Sequence, residues 1–120
     1  MSQPSPIAAS SGAVSPDVQS VIGRAAVATG VDFRYLLAQA RLESGLDPSA
    51  RASTSSAAGL YQFTKGTWLQ TLERHGADHG FDWADAAIDS GRVSDQQLRG
   101  QILALRFDPQ ASALMAGELA

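Results

Sequence analysis

A mainly α-helical domain is the fold class the sequence predicts, and three observations carry it. Apolar residues recur at three- and four-residue spacing in several separate stretches. Most of those stretches open on Ser, Thr or Asp and close on Gly or Pro, the residues that cap and stop helices. No five-residue stretch alternates apolar and polar residues with β-branched enrichment, so strands are expected to be minor. The 120 residues suffice for one domain and not for two. An apolar fraction of 44% supplies a core.

Half of residues 1–16 are Ser or Pro, and the first charge is Asp17. Ile7 and Val14 are the only sizeable apolar side chains there. Such a segment buries too little to offset its ordering entropy. Residues 1–15 are therefore expected to form a flexible tail or linker, with the domain over 16–120. Ser15-Pro16-Asp17 reads as a helix start: a cap, a proline in the first helical position and an acid at the positive end of the dipole. Val18, Val21, Ile22, Ala25 and Ala26 continue it to Gly30. Asp32 caps a second helix with the stripe Phe33, Leu36, Leu37 and Ala40, stopped by Gly45 and Pro48. Residues 49–59 are small, polar and nearly uncharged, hence a loop. Thr64 caps a third helix carrying Trp68, Leu69 and Leu72 and ending near His75-Gly76. Residues 77–92 read as a loop with one short apolar turn around Trp83, Ala86, Ala87 and Ile88. Ser94 is expected to cap a fourth helix, and Asp108-Pro109 opens a fifth. That last helix meets no Gly, Asn or Pro before Ala120, so it reads as unfinished and its end is expected to fray.

The net charge of −3 and pI of about 5.1 argue against a nucleic-acid footprint. The absence of cysteine excludes a disulfide scaffold, a thiol nucleophile and Cys-ligated zinc. His75 and His79 are the only histidines, with Gly76 between them and no third ligand evident, so they read as surface groups at a helix end and no metal is expected. Asp78, Asp82, Asp85 and Asp89 lack the spacing of a calcium loop and read as a solvated face. No apolar run approaches the ~20 residues of a membrane span. The N-terminus has neither the basic nor the apolar region of a signal peptide. Trp68 and Trp83 read as core anchors, with either able to border a cleft.

Of the three glutamates, Glu73 falls near the exposed face of its helix and Glu118 lies at the extreme end. Glu43 does not fit so easily. It follows Leu36 by seven and Ala40 by three, at the edge of the apolar stripe, and sits in the last turn before Gly45. The negative end of the helix dipole and partial burial would both favour its protonated form, as a general acid requires. An ion pair with Arg41 or Arg51 is the ordinary alternative. Beyond the loop comes Gly59-Leu60-Tyr61-Gln62-Phe63. Glycine permits close backbone approach, aromatic faces suit sugar rings, and Gln offers a donor and an acceptor. Core packing is the competing role for Tyr61 and Phe63.

The run ARLESGLDPSARASTSSAAGLYQFTKGTW, residues 40–68, resembles the lysozyme-like lytic transglycosylases of the soluble type, relatives of goose-type lysozyme. The resemblance rests on Glu43-Ser44 at a helix end and Gly59-Leu60-Tyr61-Gln62 after the loop. It implies a helical lysozyme-like fold, peptidoglycan glycan strands as substrate, a periplasmic or cell-wall setting and no cofactor. Glu43 would be the catalytic acid/base. Ser44 would orient the carboxylate or the sugar's N-acetyl group, and Gly59, Leu60, Tyr61 and Gln62 would line the cleft. The reaction implied is cleavage of the β-1,4 bond between N-acetylmuramic acid and N-acetylglucosamine with formation of a 1,6-anhydro end. A non-catalytic peptidoglycan-binding module and a hydrolysing lysozyme or endolysin are the alternatives. One departure stands out. The family's later Ala-x-Asn motif, with a nearby Tyr, has no counterpart, since the chain contains no asparagine. The motif is expected past Ala120, which would leave the lysozyme-like domain truncated at its C-terminal end.

Overall fold

The computed structural model describes residues 16–91 and 95–120. The expected tail at 1–15, the Ser15 cap and the Ser94 cap lie outside the described residues. Among the described residues six α-helices follow one another: α1 (Pro16–Thr29), α2 (Phe33–Ser44), α3 (Lys65–His75), α4 (Asp82–Asp89), α5 (Gln96–Ala104) and α6 (Pro109–Leu119). Short 3₁₀ turns at Gly76–His79 and Leu105–Phe107 lead out of α3 and into α6. Extended structure among the described residues is limited to two isolated antiparallel bridges, Arg51 with Ala58 and Ala58 with Phe63. The mainly helical expectation holds.

Most of the expected caps operate. Asp32 Oδ1 accepts from the backbone N–H of Arg34 at 2.7 Å and of Tyr35 at 3.3 Å. Thr64 and Asp108 accept from Thr67 and Gln110 in the same way. Gly45 closes α2 in the left-handed region, φ 66°. Two expectations need correction. Residues 77–92 are not a loop: α4 forms there, with Ala84 and Ala87 buried against the core. Its two acids in the first turn suit the positive end of the helix dipole, a start signal that the surrounding Asp and Gly residues obscured. The cap of α5 is Asp95, whose carboxylate accepts from Gln97 and Leu98.

The core is built around Ile22, Leu36, Leu60, Trp68, Leu72, Ile102 and Met115, all fully buried. Trp68 is an anchor, its indole N–H donating to the Ile102 carbonyl at 2.9 Å and its ring meeting Phe63 edge-on at 4.8 Å. Trp83 is not, being 44% exposed on α4. The last helix is the most enclosed, with every residue from Ala111 to Gly117 buried. Small side chains let α1 lie close against it. A Cβ at Gly117 would meet Thr29 Oγ1 at 2.5 Å, so only glycine fits this crossing.

The end of α6 carries a clasp. Glu118 binds His79 Nε2 at 2.6 Å and faces His75 Nδ1 at 3.6 Å. His79 is thus enclosed, with a side chain only 11% exposed, rather than the surface group expected.

Candidate active site

Helix α2 turns Leu36 and Ala40 to the core, which leaves Tyr35, Leu42 and Glu43 on its outer face. Its last residue ties it to the loop that follows. The Ser44 hydroxyl lies 2.7 Å from the Leu60 carbonyl and 3.1 Å from that of Ala40, and accepts from the Asp47 N–H. Its single hydrogen has its shorter contact at Leu60, so Ser44 latches the helix end to the second motif. Asp47 turns back on Ser49, accepting from that residue's N–H and hydroxyl, which holds its carboxyl below the ordinary range.

The second motif is held from beneath by backbone. Gly59 has φ 86°, and a Cβ there would collide with the Arg106 carbonyl. The close approach that this glycine permits is therefore to Arg106. Leu60 is fully buried, so only its backbone could face a ligand. Tyr61 is 6% exposed and its hydroxyl donates to the Leu36 carbonyl at 2.8 Å. Burial raises the pKa of that phenol above its ordinary value. Phe63 joins it in the core. Gln62 adopts a left-handed conformation, φ 54°, unusual for a residue with a side chain. Its amide nitrogen donates to the carbonyls of Ala50 at 3.2 Å and Gly59 at 3.0 Å, which pins the turn.

Arg106 completes the support. Its guanidinium is buried and donates to the carbonyls of Leu103, Ser56 and Phe63. Burial, and then the neighbouring Arg51, lower its pKa. Arg51 itself stacks over the Phe107 ring at 4.5 Å. Sequence reasoning missed Arg106, because an isolated arginine after an apolar helix gives no sign of the carbonyls it will meet.

Glu43 is exposed, not partly buried as its place beside the stripe suggested. Among the described residues no hydrogen bond or ion pair engages its carboxyl, so the pairing with Arg41 or Arg51 is not made. It borders a recess of about 320 Å³ whose other walls are Tyr35, Ala38, Gln39 and Leu42. A second recess, of about 210 Å³, runs past Tyr61, Gln62 and Thr67 to Leu119. Gln39 borders both recesses. The sequence reading passed over Gln39, Tyr35 and Leu42. Stepping back one helical turn and two from Glu43 would have found Gln39 and Tyr35.

Glu43 thus presents its carboxyl beside a tyrosine ring and an aliphatic side chain on the outer face of α2. A family model described as the transglycosylase SLT domain matches residues 20–89. The matched segment runs from α1 through α4 and takes in Glu43, Ser44 and the turn from Gly59 to Gln62. It spans more than half of the chain, and the chain belongs to the transglycosylase SLT domain family.

Proposed function

We propose that this domain is a peptidoglycan lytic transglycosylase with Glu43 as its single general acid/base. The observation that carries the reading is the contrast between Glu43 and its neighbours. The hydroxyls of Ser44 and Tyr61 and the amide nitrogen of Gln62 bond backbone carbonyls, whereas the Glu43 carboxyl is left unengaged at its recess. A two-carboxylate glycosidase needs a partner acid facing the same bond. The walls of this recess hold no second acid, and Asp47 is committed to Ser49.

The substrate then supplies the missing group. Glu43 donates its proton to the glycosidic oxygen linking N-acetylmuramic acid to N-acetylglucosamine, and the C1–O bond breaks. The acetamido carbonyl oxygen of the muramic acid bonds to C1 meanwhile. The Glu43 carboxylate next takes the proton of the C6 hydroxyl, and O6 displaces the acetamido oxygen to close a 1,6-anhydro ring. Proton and electron pairs balance with no water consumed. A sugar seated across Tyr35 and Leu42 would exclude water from the carboxyl, which favours the protonated form at the start of the cycle. Such a substrate sets the place of action at the periplasm or cell wall.

The test is release of anhydro-muropeptides from peptidoglycan, read by mass spectrometry. Glu43→Gln should reduce release at least ~10²-fold with the melting temperature unchanged. Retained release would remove Glu43 as the acid. Products heavier by one water would instead assign a hydrolase. Binding without turnover in the parent chain would assign a recognition module, a reading favoured only by how many polar groups of the second motif are spent on backbone.

A further inference from the structure

A recess of about 280 Å³ lies between α1 and α6 and shares no lining residue with the two beside α2. Val21, Arg24, Ala25 and Ala28 recur at helical spacing along one side of α1, and Gln110 and Leu114 stand one turn apart on α6. His79, in the turn that follows α3, completes the wall.

Two of these side chains have polar groups that the fold does not use. Arg24 is exposed, and among the described residues no acid pairs with it. His79 meets Glu118 through Nε2 at 2.6 Å. A carboxylate can only accept, so Nε2 carries the hydrogen and Nδ1 of the neutral ring is an acceptor. Nδ1 has no partner among the described residues, and it is not sealed from water. The clasp thus fixes the tautomer of a ring that borders the recess, besides holding the end of α6. Val21, Ala25, Ala28 and Leu114 supply aliphatic surface, and no carboxylate lines the recess.

A cation, a hydrogen-bond acceptor and aliphatic walls together define a partner. The carboxyl end of a peptide presents the complement: a carboxylate, the N–H of the last peptide bond and a side chain. An inorganic anion would satisfy Arg24 alone, and a neutral sugar would leave it unpaired. We propose that this recess binds the carboxyl end of a peptide whose last residue is small and aliphatic. Arg24 pairs with the terminal carboxylate, His79 Nδ1 accepts the last peptide N–H, and the aliphatic walls take the side chain. The site is separate from Glu43 and does not depend on the glycan reading.

The experiment is an NMR titration of the full chain with N-acetyl-alanyl-alanine and with two analogues. One carries a terminal amide in place of the carboxylate; the other has an ester oxygen in place of the last N–H. The parent peptide should shift the resonances of Ala25, Ala28, Leu114 and the His79 ring. Both analogues should bind roughly tenfold more weakly, the first for want of a charge-assisted pair and the second for want of a donor to Nδ1. Arg24→Gln should bind the acid and the amide equally. Its melting temperature should not change, because Arg24 is exposed and unpaired in the fold. Resonances of the recess that stay fixed at millimolar peptide overturn the proposal. So does an amide or ester analogue that binds as tightly as the parent, or an Arg24→Gln chain that keeps its preference for the acid.

Discussion

Gln62 shows how one side chain can look like a ligand contact in the sequence and act as a brace in the structure. Between a small-residue loop and a helix, a glutamine reads as a hydrogen-bonding group offered to substrate. Both of its amide hydrogens go to backbone carbonyls, and they hold a left-handed residue that would otherwise relax. Gln62→Ala should therefore destabilise the fold by about 1–3 kcal/mol in urea unfolding, as loss of a polar partner at partly buried carbonyls does. A loss of glycan affinity with unchanged stability would return the residue to the substrate. Ser44→Ala is expected to cost a similar ~1–3 kcal/mol, since the Leu60 carbonyl loses its donor. Its effect on turnover should appear as weaker binding and slower chemistry together, because helix end and loop would no longer share one position. Gly59→Ala should be the most damaging of the three. The Arg106 carbonyl occupies the place of a methyl, and the positive φ is strained for any other residue.

At the level of elements, α3 and α4 meet through acids. Asp89 stands near Glu73 across the two helices and near Asp85 within α4. The hydrogen bond that Asp89 can share with Glu73 when one of the two is protonated, then burial and nearby acids, raise the pKa of Glu73; burial first, then Asp89 and Asp82, raise that of Asp85. Carboxyls whose pKa rises on folding contribute stability while protonated, below their unfolded values, and lose it as pH climbs through the raised ones. The α3–α4 contact should accordingly be tightest in mild acid and loosen toward neutrality. Asp89→Asn should remove one charge from that repulsion and raise the melting temperature at neutral pH. Its advantage over the wild type should shrink on acidification, as circular dichroism melts across the two conditions would show. The same helix marks a limit of sequence reading. Asp82, Asp85 and Asp89 look like a solvated stretch, and only Ala84 and Ala87 betray a buried face. Two alanines generate a weak periodic signal, whereas Asp32, Thr64 and Asp108 could be read directly because a cap is a local interaction between residues two or three apart.

Across the whole molecule, what could be read in the sequence divides by range. The helical class, the positions of the glutamate and of the glycine-led motif, and the buried Trp68 all follow from patterns within a few residues. The exposure of Glu43, the clasp of His79 on Glu118 and the role of Arg106 do not. The last two depend on a partner brought from a distant part of the chain, and the first on none arriving. Arg106 is the furthest-reaching case, since it bonds carbonyls 50 and 43 residues earlier, at Ser56 and Phe63. That reach bears on how the protein is made. A ribosome delivers Glu43, Ser44 and Gly59 to Gln62 well before it delivers Arg106. Until then the loop between α2 and α3 lacks the donor for those two carbonyls and the wall that Gly59 rests against. The nascent chain thus carries Glu43-Ser44 and the Gly59–Gln62 turn while that turn still lacks its support. A chain that stops short of Arg106 therefore carries both motifs without the support that sets the turn between them. Pulsed hydrogen exchange on stalled chains should find the amides of Ala58 and Phe63 open when synthesis halts at 91 and protected once residue 120 has emerged.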